Sequence, residues 1–291
     1  MTLKTSMRSM KKTLVLIAVA TGLALTAQPA LAAGGAKHPR SGGFSFEGPF
    51  GTFDQAQLQR GYKVYREVCA SCHGMDLMYF RTLAEPGGPF YDPDQENPAA
   101  NRFVKVLAAE VQVPDIDSET GEAIMRDAVP ADRFPNPYPN ATAAAAGNGG
   151  AMPPDLSVMA KARHDGANYI YSLLSGYGEP PAGLEIRPGQ YYNPYMAGDL
   201  ASYWSGDRHH VPPGGFIAMP PPLSDDQVSF DDGTPSTVDQ MARDVSAFIA
   251  WASEPKATER KQTGLAVMLF LAIFTVLTWF SYKAVWRDTA H

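Results

Sequence analysis

The chain has 291 residues, 45% hydrophobic and 19% charged, with 24 Lys and Arg against 30 Asp and Glu for a net charge of −6. That acidity speaks against nucleic acid as a partner, because phosphate backbones are met by basic surfaces. Two cysteines among 291 residues leave a four-thiolate zinc site out of reach.

Lys4, Arg8, Lys11 and Lys12 precede an apolar run from Thr13 to Ala27 and the small-residue sequence Ala30-Leu31-Ala32. This is the pattern of a secretory signal peptide over 1–32, and the run falls short of the roughly 20 apolar residues a membrane span needs. Removal of that segment leaves 20 basic and 30 acidic residues, a net charge of −10. From Ala33 to Phe53 the chain is glycine-rich and reads as a linker or surface arm. Asp54 to Val68 then reads as an amphipathic helix, with Leu58, Tyr62, Tyr65 and Val68 on one face. Gly61 within it costs about 1 kcal/mol in helix propensity, which fits equally a place where another helix must approach closely and a glycine merely put up with.

That helix runs directly into Cys69-Ala70-Ser71-Cys72-His73. The spacing C-x-x-C-H is the attachment signal of a c-type haem: two thiols add to the two vinyl groups, and the adjacent histidine is placed to bind the iron. A thioredoxin-like pair would sit between a strand and a helix, whereas a helix precedes this one. A zinc site would need two more ligands, and the remaining histidines are scattered. Export agrees with this reading, since c-type haem is attached outside the bacterial inner membrane.

Between Met75 and Ala146 turn chemistry dominates, and only Ala99 to Val111 and Thr120 to Ala128 suggest helices. The run Ala141 to Ala146 reads as a surface loop, and two further helices are expected over Leu156 to Ala162 and Ala167 to Ser175. A loop-rich chain of this kind lacks a core of its own, and an anchored haem, a large apolar body, supplies one. Thr237-Val238-Asp239-Gln240 is a capping-box sequence opening a helix that ends at Glu254-Pro255. Last, Gly264 to Tyr282 is 19 residues without a charge, long enough to cross a bilayer, with Trp279, Tyr282 and Trp286 as interfacial aromatics. The expected domains are therefore a signal peptide over 1–32, a haem domain over 33–258, and a membrane anchor with a short tail over 259–291. A cleaved export signal and one stop-transfer helix would leave the haem domain in the periplasm and the C-terminus in the cytoplasm.

The second axial ligand decides what the iron can do, since a thioether closes the site and makes an electron carrier. Met152-Pro153-Pro154 and Met219-Pro220-Pro221 are both proline-rich loops able to present a sulfur, and His209 and His210 are the histidine alternatives. Residue chemistry leaves Met152 and Met219 tied.

The tie is broken by resemblance. Cys69 to Asp76, Met152 to Ser157, Ala162-Arg163-His164, Tyr171 to Tyr177, Glu179-Pro180-Pro181, Tyr192 to Tyr195, Met219 with its prolines, and Asp232-Gly233-Thr234-Pro235 together resemble cytochrome c1, from about Phe44 to the C-terminal anchor. The resemblance implies a mainly α, class I cytochrome c-like haem domain with long loops plus one C-terminal transmembrane helix. It implies one covalently attached haem c, with Cys69 and Cys72 as thioether links, His73 as proximal and Met219 as distal ligand to the iron. The Pro154 carbonyl would accept the proximal imidazole N–H, Arg163 would meet a propionate, and Asn148 and Tyr169 would line the pocket, with Met152 in its wall. The stretch Met196 to Pro213, with Trp204, Asp207, His209 and His210, is longer than the family pattern.

The implied function is that of the electron-transfer subunit of the ubiquinol–cytochrome c oxidoreductase. Such a subunit catalyses nothing itself, takes electrons from a Rieske iron–sulfur protein beside cytochrome b, and passes them to a soluble c-type cytochrome within a dimeric complex in the bacterial inner membrane. Residues 33–258 carry 16 basic and 28 acidic groups, net −12, a charge suited to a basic soluble cytochrome. The competing readings are a standalone membrane-anchored cytochrome c serving an oxidase, a peroxidase-like haem enzyme with a labile sixth position, and a tail-anchored thiol oxidoreductase.

Overall fold

The computed structural model describes residues 35–289, so the signal-peptide reading of 1–32 lies outside the described residues. Helix α1 (Gln55–Glu67) starts where Asp54 accepts a hydrogen bond from Gln57 N at 2.7 Å, and it buries Leu58, Gly61, Tyr62, Val64 and Tyr65. Val68 at the C-terminal cap is half-buried and packs against the same core, so the expected face is the one that faces inward. The fold turns on the packing of α1 against α5 (Val238–Ser253). A Cβ added at Gly61 would lie 2.1 Å from the Asp244 carbonyl oxygen and 2.7 Å from Phe248 Cβ, so the missing side chain is what lets the two backbones meet.

Next to that contact, the fully buried Asp244 carboxylate accepts from Arg60 Nε at 2.8 Å, Gln57 Nε2 at 3.2 Å and Gln240 Nε2 at 2.9 Å. A buried carboxylate is tolerable only when its lone pairs are met in this way. Gln240 is thereby diverted from the reciprocal half of the capping box. Thr237 Oγ1 still caps α5 by accepting from Gln240 N at 3.2 Å. Arg60 also reaches Asp232 at 2.7 Å, tying the 231–234 turn to α1. Around the crossing, Tyr62, Tyr65, Phe80, Phe134, Phe248 and Trp251 form one continuous aromatic core, with centroids 4.8–6.1 Å apart.

The intervening chain departs from expectation in three places. Helix α2 (Arg102–Ala109) falls within the expected 99–111 and is capped by the buried Asn101. Thr120 to Ala128, expected as helix, instead supplies strand β2 (Ala123–Asp127), paired antiparallel with β1 (Gln112–Ile116). The hairpin is set by its turn: Asp117 accepts from the Glu119 and Thr120 amides, and Gly121 takes φ +75°. Ala141 to Ala146, expected as loop, is helix α3 (Ala141–Gly147), for which Asn140 supplies the cap to Ala143 N at 2.9 Å and alanine the propensity. Leu156 to Ala162, expected as helix, is a run of turns whose amides reach back mostly three residues, Met159 N to Leu156 O and Lys161 N to Val158 O, while Leu156 N is bonded to Gly74 O at 2.9 Å.

Helix α4 (Gly166–Leu174) packs on α5, and a short ladder of β3 (Tyr191–Asn193) with β4 (Gly215–Ile217) closes the 196–213 stretch. After Pro255 the chain enters α6 (Ala257–Val285), a 29-residue helix of mean hydropathy 2.1 over its most apolar window, which fits a single transmembrane span. The described architecture is thus mainly α with long loops, as expected.

Gly61→Ala tests the crossing directly. Alanine is the better helix former by about 1 kcal/mol, yet the clash with the Asp244 carbonyl is expected to leave the variant less stable by about 1–3 kcal/mol. Thermal denaturation of the detergent-solubilised protein reads the difference, and an unchanged or raised Tm would show that the helices do not need this contact.

Candidate functional site

The haem-attachment motif begins one residue beyond α1. Val68 caps the helix by donating to Val64 O, and a single 3-10 turn over Cys69–Ser71 follows. Cys69 O accepts from both Cys72 N at 3.1 Å and His73 N at 2.9 Å, so the two cysteines and the histidine sit on one tight turn. The two cysteines are not joined in a disulfide, and burial pushes the Cys69 thiol up to about 12. These are two unpaired thiols at the spacing that vinyl addition requires.

His73 Nδ1 lies 2.8 Å from the Pro154 carbonyl oxygen. A carbonyl can only accept, so Nδ1 carries the proton and Nε2 is left with its lone pair free. Burial lowers the pKa of His73, against smaller opposing effects of the Pro154 hydrogen bond and the Asp155 charge, which keeps the ring neutral and able to ligate. The contact is one of a ladder joining two loops about 80 residues apart in sequence. Leu156 N donates to Gly74 O at 2.9 Å, Asp76 N to Asp155 Oδ2 at 2.8 Å, and Leu77 N to Ser157 Oγ at 3.0 Å. Asp155 Oδ1 accepts from Ser157 N at 2.8 Å, stiffening the second loop from within. A Cβ at Gly74 would stand 2.1 Å from Asn136 Oδ1, so any side chain there would require the Asn136 amide to move. Asp155, Ser157 and Gly74 were not among the expected site residues; their signal lay only in an Asx-type turn sequence beside a proline pair.

Met219 follows β4 and is half-buried. Tyr177 OH donates to its carbonyl oxygen at 3.0 Å, and burial pushes the Tyr177 phenol up, so it remains a donor. The fully buried Asn193 ties the same region to the end of α4, donating to Leu173 O at 2.8 Å. Met152, by contrast, is 58% exposed, two residues from the carbonyl that holds His73.

The remaining expected residues are dispersed. Asn148 caps α3 and donates to Ala144 O at 2.7 Å. Tyr169, on α4, points its hydroxyl at Met196 Sδ at 3.8 Å. Arg163 is exposed, donates to Ala162 O at 3.1 Å and forms no ion pair among the described residues. His209 and His210 engage Asp207 within their own exposed loop, through its backbone-amide and 2.6 Å ring contacts. Among the described residues no group of three or more His, Cys, Asp or Glu is gathered for a metal ion, so the four-ligand zinc arrangement is not formed there.

The donor set fits a haem: two free thiols on one turn, a neutral imidazole with a bare Nε2, and exposed apolar side chains, Leu77, Met152 and Val158, on the two joined loops. Comparison with known proteins points the same way. The model of the Cytochrome C1 family matches residues 44–289. The chain is 42% identical over 284 residues to cytochrome c1 of Rhodospirillum rubrum, covering 90% of this chain and 94% of that one. It is 42% identical over 263 residues to the mitochondrial cytochrome c1 heme protein of Saccharomyces cerevisiae, covering 90% and 76%. It is also 42% identical over 281 residues to cytochrome b/c1 of Bradyrhizobium diazoefficiens, where it covers 90% of this chain but spans only 37% of that longer protein. A haem-attachment turn braced by a second loop, one apolar C-terminal helix and a match running through both place this chain in the cytochrome c1 family.

Proposed function

We propose that the chain works as a closed, one-electron haem c carrier that takes electrons from a Rieske iron–sulfur protein and delivers them to a soluble c-type cytochrome. Membership of the cytochrome c1 family makes it a haem-bearing electron-transport subunit of the cytochrome bc1 complex, with a covalently attached haem c. The observation that carries the finer reading is the His73 Nδ1 to Pro154 O contact, which presents Nε2 as a ligand and fixes the ring that bears it.

Cys69 and Cys72 would form the thioether links, and His73 the proximal bond. Pro154 would orient the imidazole, and Met219 would supply the second iron ligand. The reading of Met219 over Met152 is supported by resemblance, since Met219 with its prolines follows the family pattern, whereas Met152 would line the pocket two residues from the carbonyl that holds His73. Tyr177 and Asn193 would hold the Met219 loop in register with α4. The exposed guanidinium of Arg163, bonded among the described residues only to its neighbour's carbonyl, suits a propionate, while Asn148 and Tyr169 would serve the pocket through α3 and α4. When bound, the haem supplies a reversible iron couple; the chain's part is to hold it, exclude labile sixth ligands and leave an edge open to partners.

The chain makes and breaks no substrate bonds in this reading, and the quinol chemistry belongs to a cytochrome b partner. A relative whose name joins cytochrome b to c1 supports that partnership. The excess of acidic groups supports a basic soluble cytochrome as acceptor, through a small, salt-sensitive contact. A signal peptide over 1–32, a periplasmic haem domain over 33–258, an anchor over 259–291 with a cytoplasmic end, and a dimeric complex in the bacterial inner membrane complete the proposal.

Met219→Leu is expected to lower the reduction potential sharply and leave the covalent haem in place, while Met152→Leu leaves the potential nearly unchanged. The reverse pattern in a redox titration would transfer the ligand role to Met152. Purification in mild detergent is expected to bring down a b-type cytochrome and an iron–sulfur subunit with this chain. Recovery of the haem protein alone would favour a standalone carrier.

A further inference from the structure

The segment 44–53 carries four phenylalanines that the fold treats in two ways. Phe44, Phe46 and Phe53 pack on one another, with centroids 5.0 and 4.5 Å apart. Phe50, at the tip, is 75% exposed and has no ring partner among the described residues. The loop is nonetheless rigidly built. Gly48 takes φ +73°, and a Cβ at Gly51 would stand 2.1 Å from Glu47 O, so the turn closes tightly on itself. Lys261 of α6 donates its ammonium to Phe46 O and to Gly51 O, clamping both ends of the turn to the anchor helix.

That clamp fixes the depth of the tip. The charge-free run Gly264 to Tyr282 is 19 residues, roughly 28 Å of helix at 1.5 Å per residue. The hydrocarbon core is about 30 Å thick, so the run has no length to spare and its first residues must stand at the hydrocarbon boundary. Phe50 shares a cleft of about 90 Å³ with Lys261, Gln262 and Leu265, the last of these the second residue of the run. Whatever surrounds Leu265 surrounds Phe50, while Arg260 and Lys261, one turn earlier, stand at headgroup level.

We infer that the 46–53 loop is a membrane-seating wedge: it inserts Phe50 among the lipid acyl chains beside the anchor and fixes how the haem domain stands on the bilayer. An aromatic ring at this boundary gains by leaving water, and a loop stapled to the span at two carbonyls transmits that seating to the domain. The inference rests on the reading of α6 as a membrane span.

The test uses the full-length holoprotein in phosphatidylcholine vesicles with a nitroxide on a single introduced thiol, Cys69 and Cys72 being occupied by haem. Labels are compared at Phe50→Cys, at Ala272→Cys in mid-span and at Glu119→Cys on the exposed hairpin turn, with the haem reduced. Collision rates with oxygen and with a water-soluble nickel chelate are measured. The label at 50 is expected to show an oxygen-to-nickel ratio several-fold above that at 119 and close in kind to that at 272. Nickel access at 50 equal to that at 119 would overturn the wedge, as would shielding from both reagents, which would mean that protein covers the tip. Nickel access at 272 would bring down the span reading itself and the wedge with it.

Discussion

The arrangement depends most on a single hydrogen bond, from His73 Nδ1 to the carbonyl of Pro154. It selects one tautomer of the imidazole and leaves the other nitrogen free, a choice the attachment turn cannot make for itself. Proline suits the accepting position because it brings a carbonyl without an amide of its own. The three backbone contacts that continue the ladder through Gly74, Asp76 and Leu77 turn this bond from a chance encounter into a fixed geometry. An imidazole held in this way is oriented in advance for whatever it is to bind.

The helices serve this ladder. Helix α1 delivers Cys69, and α1 is itself located by its crossing with α5, where Gly61 removes the side chain that would separate the backbones and Asp244 gathers Arg60, Gln57 and Gln240. Helix α5 hands over at Pro255 to α6, so the packing that places the attachment turn is continuous with the segment that fits a membrane span. On the other side, Tyr177 and Asn193 connect α4 to the Met219 loop. The site is therefore assembled from loops, but each loop is referred to a helix.

Features with strong local chemistry were legible in the sequence. The C-x-x-C-H spacing, the amphipathic stretch before it, the Thr237 cap and the uncharged C-terminal run each carry their own physical signature, and α1, α5 and α6 follow from them. Gly61 was only half readable, since one glycine in an otherwise favourable helix fits a close helix approach and a glycine merely tolerated equally well. What failed were short segments decided by long-range contacts. Thr120 to Ala128 carried too few residues to separate period 2 from period 3.6, and its turn at Asp117 and Gly121 made it a strand. Leu156 to Ala162 had a helical pattern, but Leu156 N and the Ser157 hydroxyl are bonded to the loop bearing His73, a partner about 80 residues away that no local rule reveals. The alanine run after Asn140 looks like loop by composition, but the Asn140 cap makes it a helix. Met219 could be separated from Met152 only by resemblance, since a thioether in a proline-rich loop looks the same in both places.

The central claim is that this chain holds its iron between a histidine and a methionine, in a site closed to other ligands and suited only to passing electrons. The visible spectrum of the purified, dithionite-reduced protein with and without carbon monoxide tests it most directly. A c-type α band that carbon monoxide leaves unchanged is the predicted result; a spectrum that shifts on adding carbon monoxide to the native protein would show an open sixth position and contradict the account.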